Sequence, residues 1–229
     1  MEDTKNGEMI LLRHSFNRAL KLKHLQVLYE PTGWSIGLKG IDEKFDEYAN
    51  ADEFLADIDE LVKSFNTIWS HQRDIKCAIT QLSELCHRDV KSIRTCSECF
   101  TNWAADPDDY FTKVCSKPHL LVYAKFGDYP YWPSKLMTIN DRTANVVFFG
   151  DHTQADVPVE KCILYSKKHA LPIEKDELYY ALKETGIHIK KIKEKYGSFN
   201  PVTPRQTLNP TFYNDYILKM FNLPMGMNE

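Results

Sequence analysis

Close to residue 95 the spacing of apolar residues changes, and that change limits what the chain can become. Before it, apolar side chains recur every three or four positions; after residue 120 they fall in short runs broken by turn residues. The first pattern makes one face of an α-helix apolar, and the second suits strands, whose successive side chains point to opposite faces. The clearest helical stripe runs Phe54, Leu55, Ile58, Leu61, Val62, Phe65, Ile68 and Trp69. A later one passes through Ile75, Ile79, Leu82, Cys86, Val90 and Ile93, and an earlier one through Leu11, Leu12, Phe16, Leu20, Val27 and Leu28. Asn50, with Glu53 three residues on, predicts a capped start for the middle helix. The stretch Pro31-Thr32-Gly33-Trp34-Ser35-Ile36-Gly37 is too rich in glycine for a regular helix. An all-α bundle with one long loop is therefore expected over residues 9–94.

The second half predicts strands at Leu120–Lys125, Ser134–Thr138, Ala144–Phe149 and Ala155–Val159, punctuated by Gly127-Asp128, Asn140-Asp141, Gly150-Asp151 and Pro158. Short strands at this spacing point to a small barrel. Lys175–Tyr196 reads as a helix stopped by Gly197, and the Pro- and Asn-rich residues 201–229 read as a tail over the surface. The fold class expected is thus α+β with several domains.

Composition sets the outer limits. At 229 residues, with 43% hydrophobic and 27% charged content, the chain can bury more than one core. No run approaches the ~18 apolar residues a membrane span requires. Its first residues lack the basic flank and apolar core of a signal peptide, which implies an intracellular, reducing address. In that setting the 6 cysteines are metal ligands or core residues rather than disulfides. Residues 1–119 carry 15 Lys and Arg against 20 Asp and Glu, while residues 120–229 carry 14 against 12. The second half can hold a basic patch, although a solvated face explains the same charges.

At the junction Cys96-Ser97-Glu98-Cys99 forms a C-x2-C pair, and Cys115 and His119 follow in a C-x3-H arrangement. Such a turn aims two sulfurs at one point, and Zn2+ takes four ligands of this kind in a tetrahedron. The polar stretch between the pairs, with Asp106, Asp108 and Asp109, has no core of its own, and a structural zinc would fix it. On the other reading these cysteines are reduced bystanders at a helix end and His119 lies on the surface, with Cys77, Cys86 and His87 as spare ligands. Cys162 reads as core.

The densest aromatic signal is Val122-Tyr123-Ala124-Lys125-Phe126-Gly127-Asp128-Tyr129-Pro130-Tyr131-Trp132-Pro133, with Phe148-Phe149-Gly150 downstream. Prolines on both sides of Tyr131-Trp132 fix the backbone of an arch entering a strand. Alternation would send one of Phe148 and Phe149 inward and the other outward. Rings from Tyr129, Trp132 and Phe148 converging on one side would form an open box for a quaternary ammonium, each ring contributing about 0.5–2 kcal/mol through its quadrupole. Packed together instead, the same rings form the core of a small barrel.

Pro130-Tyr131-Trp132-Pro133, the preceding Val-Tyr-Ala-Lys strand and the Phe-Phe-Gly closure resemble a PWWP domain, with Tyr for the first Trp, over about Leu120–Tyr196. That resemblance implies a five-stranded, Tudor-like β-barrel with a C-terminal helix, and a methyl-lysine cage at Tyr129, Trp132 and Phe148. A helical segment, a C-x2-C element and such a domain in succession are similar to the reader cassette of the MYND-type zinc-finger co-repressor family (zinc finger MYND domain-containing proteins eleven and eight). The resemblance implies a bromodomain-like bundle over 9–94, a zinc finger over 95–119, a PWWP domain over 120–200 and a tail over 201–229. It further implies a nuclear protein that binds a trimethylated lysine of a histone H3 tail, works with transcriptional co-regulators and contacts no membrane. A cysteine the family often has near Phe111 is Thr112 here, which leaves Cys115 and His119 as partners of Cys96 and Cys99. Where the family's acetyl-lysine pocket carries Tyr-Asn, this chain has Ile68 and Trp69, and Gly33-Trp34-Ser35 stands for a Pro-Met-Asp loop. A rigid indole cannot stand in for the Asn amide, and Asn66 lies at a different helix angle. The pocket is expected to be silent.

Two other functions remain on the residues alone. Lys190, Lys191 and Lys193 near one helix face, with Lys195 beside them and Lys125, Lys135, Lys167 and Lys168 elsewhere, suit contacts to nucleosomal DNA that weaken steeply with salt. A protein-interaction scaffold with a vestigial cage is the other. No phosphate loop, nucleophile elbow or HExxH helix is present in the sequence, so no enzyme is expected.

Overall fold

The computed structural model describes residues 2–29, 34–167 and 178–224. These form two compact units, residues 1–101 and 102–229. The first is helical: α1 (Glu2–Ala19), α2 (Trp34–Glu43), α3 (Ala51–Ile68) and α4 (Arg73–Thr95), with α5 (Ser97–Ala105) following directly. The expected stripes supply much of its core, except that Ile68 at the end of the α3 stripe is exposed. Ile75, Ile79, Leu82, Cys86, Val90 and Ile93 are all buried along α4, facing Phe54, Ile58 and Phe65 of α3 and Leu12 and Phe16 of α1. Phe16, Phe45 and Phe54 form an aromatic knot with ring centroids 5.1–5.7 Å apart. A buried Ser15 hydroxyl donates to the Asp89 carboxylate and joins α1 to α4. Arg94 makes a two-pronged contact with Asp52 at 2.9 Å and reaches Glu8 at 2.7 Å, which ties the end of α4 and the start of α3 to α1.

The glycine-rich stretch departs from expectation. Residues 31–33 lie outside the described residues, but Trp34 to Gly37 open α2. Gly37 serves packing here, because a Cβ on it would come within 2.8 Å of Leu61 Cδ1 on α3. Helix α2 can lie so close to α3 only where the side chain is missing.

Asn50 caps α3 as expected: its side chain accepts from the amides of Asp52 at 3.0 Å and Glu53 at 3.1 Å, while Glu53 accepts from the Ala49 amide at 2.8 Å. Replacing Asn50 by Ala should lower the stability of the helical unit by about 1 kcal/mol. Asn50→Asp should leave it nearly unchanged, as read from hydrogen exchange of the α3 and α4 amides.

The second unit is built on a five-stranded antiparallel sheet in the order β4-β3-β2-β1-β5: β1 (Leu121–Ala124), β2 (Trp132–Ile139), β3 (Thr143–Phe148), β4 (Gln154–Pro158) and β5 (Cys162–Leu164). The first four lie within a few residues of the expected runs, and β5 is the strand those runs missed. A bulge interrupts the β2–β3 register between Leu136 and Thr138. Helix α6 (Tyr179–Tyr196) ends at Gly197, whose φ of 81° is the left-handed cap that glycine adopts without strain. It buries Ala181, Thr185, His188 and Ile192.

Residues 201–224 are more than the surface tail expected over 201–229. Leu208, with Ile217, Met220 and Phe221 of α7 (Tyr213–Phe221), enters the core around the sheet. The polar composition hid an amphipathic helix of little more than two turns. Phe149 also departs from expectation: it is as fully buried as its neighbour Phe148, because Phe111, at 4.9 Å between centroids, and His188, at 5.7 Å, cover it.

His188 is buried and donates through Nδ1 to the Thr112 carbonyl at 2.8 Å. Burial, with Lys135 nearby, holds its pKa well below the ordinary 6.5. The imidazole therefore stays neutral in the folded chain, while the unfolded chain takes up a proton as the pH drops past 6.5. Its contribution to stability is full above that value and declines below it. Hydrogen exchange of the β1–β3 amides should show the sheet unit weakening through this range, with a shallower decline in His188→Gln.

Candidate functional site

The Cys/His residues singled out in the sequence come together. The ligand atoms of Cys96, Cys99, Cys115 and His119 all lie within 4.8 Å of one another. A tetrahedral zinc with Zn–S of about 2.3 Å and Zn–N of about 2.0 Å separates its ligands by roughly 3.5 Å, so this donor set can close on the ion with side-chain shifts on the order of an ångström. Local structure supplies the aim. Cys96 ends α4 in an extended conformation, α5 begins one residue later, and the Cys99 amide points at the Cys96 sulfur at 3.4 Å. Cys115 is buried at 1% exposure, and His119 is half-buried.

The spare ligands are placed elsewhere. Cys86 lies in the core of the helical unit, where burial pushes its thiol pKa far up, Cys77 is exposed on α4, and His87 pairs with Asp59 at 2.9 Å. Cys162 is core, its thiol pushed up to about 12 by burial. A chain prepared with zinc should carry one equivalent by native mass spectrometry. Cys96→Ser or Cys115→Ser should lose it, and Cys77→Ser should retain it.

The aromatic residues are arranged by the strand register. Ser134 on β2 faces Phe148 on β3, and Ala124 on β1 faces Trp132. Because side chains alternate, Trp132, Ser134 and Phe148 share one face of adjacent strands. The neighbouring Tyr131 packs instead against the small cluster of Tyr123 and Ile163, where the Tyr123 and Tyr165 rings stack at 5.0 Å. The arch therefore separates its two central rings. The Trp132 indole is fixed by its Nε1–H, which donates to the Phe149 carbonyl at 2.8 Å. Phe148 is 7% exposed, and Tyr129 stands out at 67% exposure after the turn at Gly127 (φ 56°). The turn after Phe149 is also held: Glu184 of α6 accepts from the Gly150 amide at 2.7 Å and from the His152 ring at 2.7 Å. Burial pushes the Glu184 pKa up, but those hydrogen bonds outweigh it and leave the carboxyl lower than usual.

The lysines divide. Lys190 and Lys193 are exposed on α6, Lys190 facing Glu194 at 3.9 Å. Lys191 is half-buried and bound to Asp109 at 2.9 Å and to the Thr112 hydroxyl, so it holds the 109–112 turn to α6. Lys195 reaches the Val114 carbonyl at 2.9 Å. Lys135 is wholly buried, its ammonium 4.5 Å from the Phe111 ring centre, and cannot reach a phosphate. Lys168 lies outside the described residues. In the helical unit, Ile68 ends α3 at 67% exposure and Trp69 follows as its cap.

No family model matches the chain. It is 35% identical, over 168 residues covering 71% of its length, to the MYND-type zinc finger-containing chromatin reader Zmynd8 of Drosophila melanogaster. The chain spans 10% of that protein's length. This likeness supports the family resemblance read from the motifs, and with the Cys3His cluster it supports zinc binding.

Proposed function

We propose that the chain is a nuclear chromatin-reading segment that binds a trimethylated lysine of a histone H3 tail in a PWWP-type cage of Tyr129, Trp132 and Phe148. On this reading Cys96, Cys99, Cys115 and His119 hold a structural zinc. The observation that carries it is the shared face of Trp132 and Phe148, with the indole locked by the Phe149 carbonyl and the exposed Tyr129 ring three residues before Trp132. A rigid ring loses little freedom when a ligand arrives. A trimethylammonium makes no strong hydrogen bonds, is poorly hydrated and is attracted to ring faces. The named activity of the Drosophila relative agrees with this reading.

Three rings alone give modest affinity, and exposed Lys190 and Lys193 could add phosphate contacts on a nucleosome, raising affinity through effective concentration. The bromodomain-like bundle, with Ile68 and Trp69 at the Tyr-Asn positions, acts on this reading as a platform without an acetyl-lysine site.

Binding to H3 peptides and nucleosomes of defined methylation tests the proposal. Trp132→Ala and Phe148→Ala should each weaken methyl-peptide binding by about 5- to 30-fold, equivalent to about 1–2 kcal/mol per ring. Equal binding to methylated and unmethylated nucleosomes, with a steep salt slope, would favour the DNA reading and refute the cage.

A further inference from the structure

The stretch from Thr112 to Ser116 belongs to no helix or strand beyond its first residue, yet its backbone carbonyls are systematically engaged. His188 Nδ1 meets the Thr112 carbonyl at 2.8 Å, and Lys135 Nζ meets that of Lys113 at 3.3 Å. Lys195 Nζ meets that of Val114 at 2.9 Å. The Tyr196 hydroxyl lies 2.7 Å from the Cys115 carbonyl and 3.0 Å from that of Ser116, so one proton serves both. Five carbonyls in a row thus accept from four side chains, three on α6 and one on β2. Backbone acceptors away from a ladder must find partners, and here all of them find partners on the sheet unit's own framework.

The last two contacts bear on the metal centre, because Cys115 carries one of its four ligand atoms. We infer that α6 acts as a latch that sets the Cys115 side of the metal site before the ion arrives, with Tyr196 and Lys195 as positioning residues for zinc. The inference rests on the metal reading above. None of the latching bonds involves a metal ligand atom, so none of them competes with the ion for a donor. A ligand already held in place loses less conformational freedom when the metal binds, and affinity rises accordingly. Groups behind a metal ligand that orient it typically change affinity by about 10- to 100-fold when removed. Tyr196 also packs its ring edge-on against Phe221 at 6.0 Å between centroids, so removing the hydroxyl alone leaves that contact intact.

The test is zinc affinity of the full chain, measured by competition with a chromophoric chelator, for wild type, Tyr196→Phe, Lys195→Met and Tyr123→Phe. The last removes a hydroxyl 3.4 Å from the Ser166 carbonyl in the same unit and away from the latch. Tyr196→Phe should raise the zinc dissociation constant about tenfold and Lys195→Met several-fold. Tyr123→Phe should bind zinc as wild type does, and all zinc-saturated variants should share one near-ultraviolet circular dichroism spectrum. Lys195→Met, a change on an exposed side chain, carries the test if Tyr196→Phe does not fold. Wild-type affinity in both latch variants overturns the inference, as does an equal loss in Tyr123→Phe. A wild-type chain that takes up no zinc overturns the metal reading, and the latch with it.

Discussion

The docking of α6 on the sheet face that carries Lys135 and Phe149 is the constraint on which most of the second unit depends. Along little more than five turns the helix performs three separate tasks. Near its start Ala181 lies 3.4 Å from where a Gly150 Cβ would stand, and Glu184 binds the Gly150 amide. That pairing shapes the turn leaving the Phe148 strand, and a side chain at Gly150 would meet both the helix and a φ of 100°. In its middle, neutral His188 covers Phe149 and holds Thr112. At its end, Lys195 and Tyr196 hold the segment that delivers Cys115.

Charge is used sparingly and at a cost that packing offsets. Lys135 is fully buried, which is costly for an ammonium unless partners replace water. It finds the Phe111 ring and the Lys113 carbonyl, and its charge also helps keep His188 neutral. Lysines that count equally in a net charge therefore have different work. Lys135, Lys191 and Lys195 hold the 109–114 stretch in place, whereas Lys190 and Lys193 project into solvent.

The elements legible in the sequence were those whose signal is local. The helical stripe from Ile75 to Ile93 is buried at every expected position, Asn50 caps α3, and Gly197 ends α6. What misled was composition read without neighbours. Gly37 resembled a loop residue because its partner, Leu61, lies twenty-four positions away. The segment after Pro201 resembled a tail because Ile217, Met220 and Phe221 show their purpose only against the sheet.

The sequence by itself determined the helical half and the strand-rich half, and by their spacing it nominated Cys96, Cys99, Cys115 and His119 as a candidate metal set. Periodicity and ligand spacing are properties of a few consecutive residues, set by backbone geometry. Only the tertiary structure decided which ring of Tyr131-Trp132 faces Phe148's side of the sheet, that Phe149 is covered, and that Lys135 and Lys191 are structural. Those outcomes depend on strand register and on the docking of α6, which join residues from twelve to more than eighty positions apart and leave no mark on the local pattern.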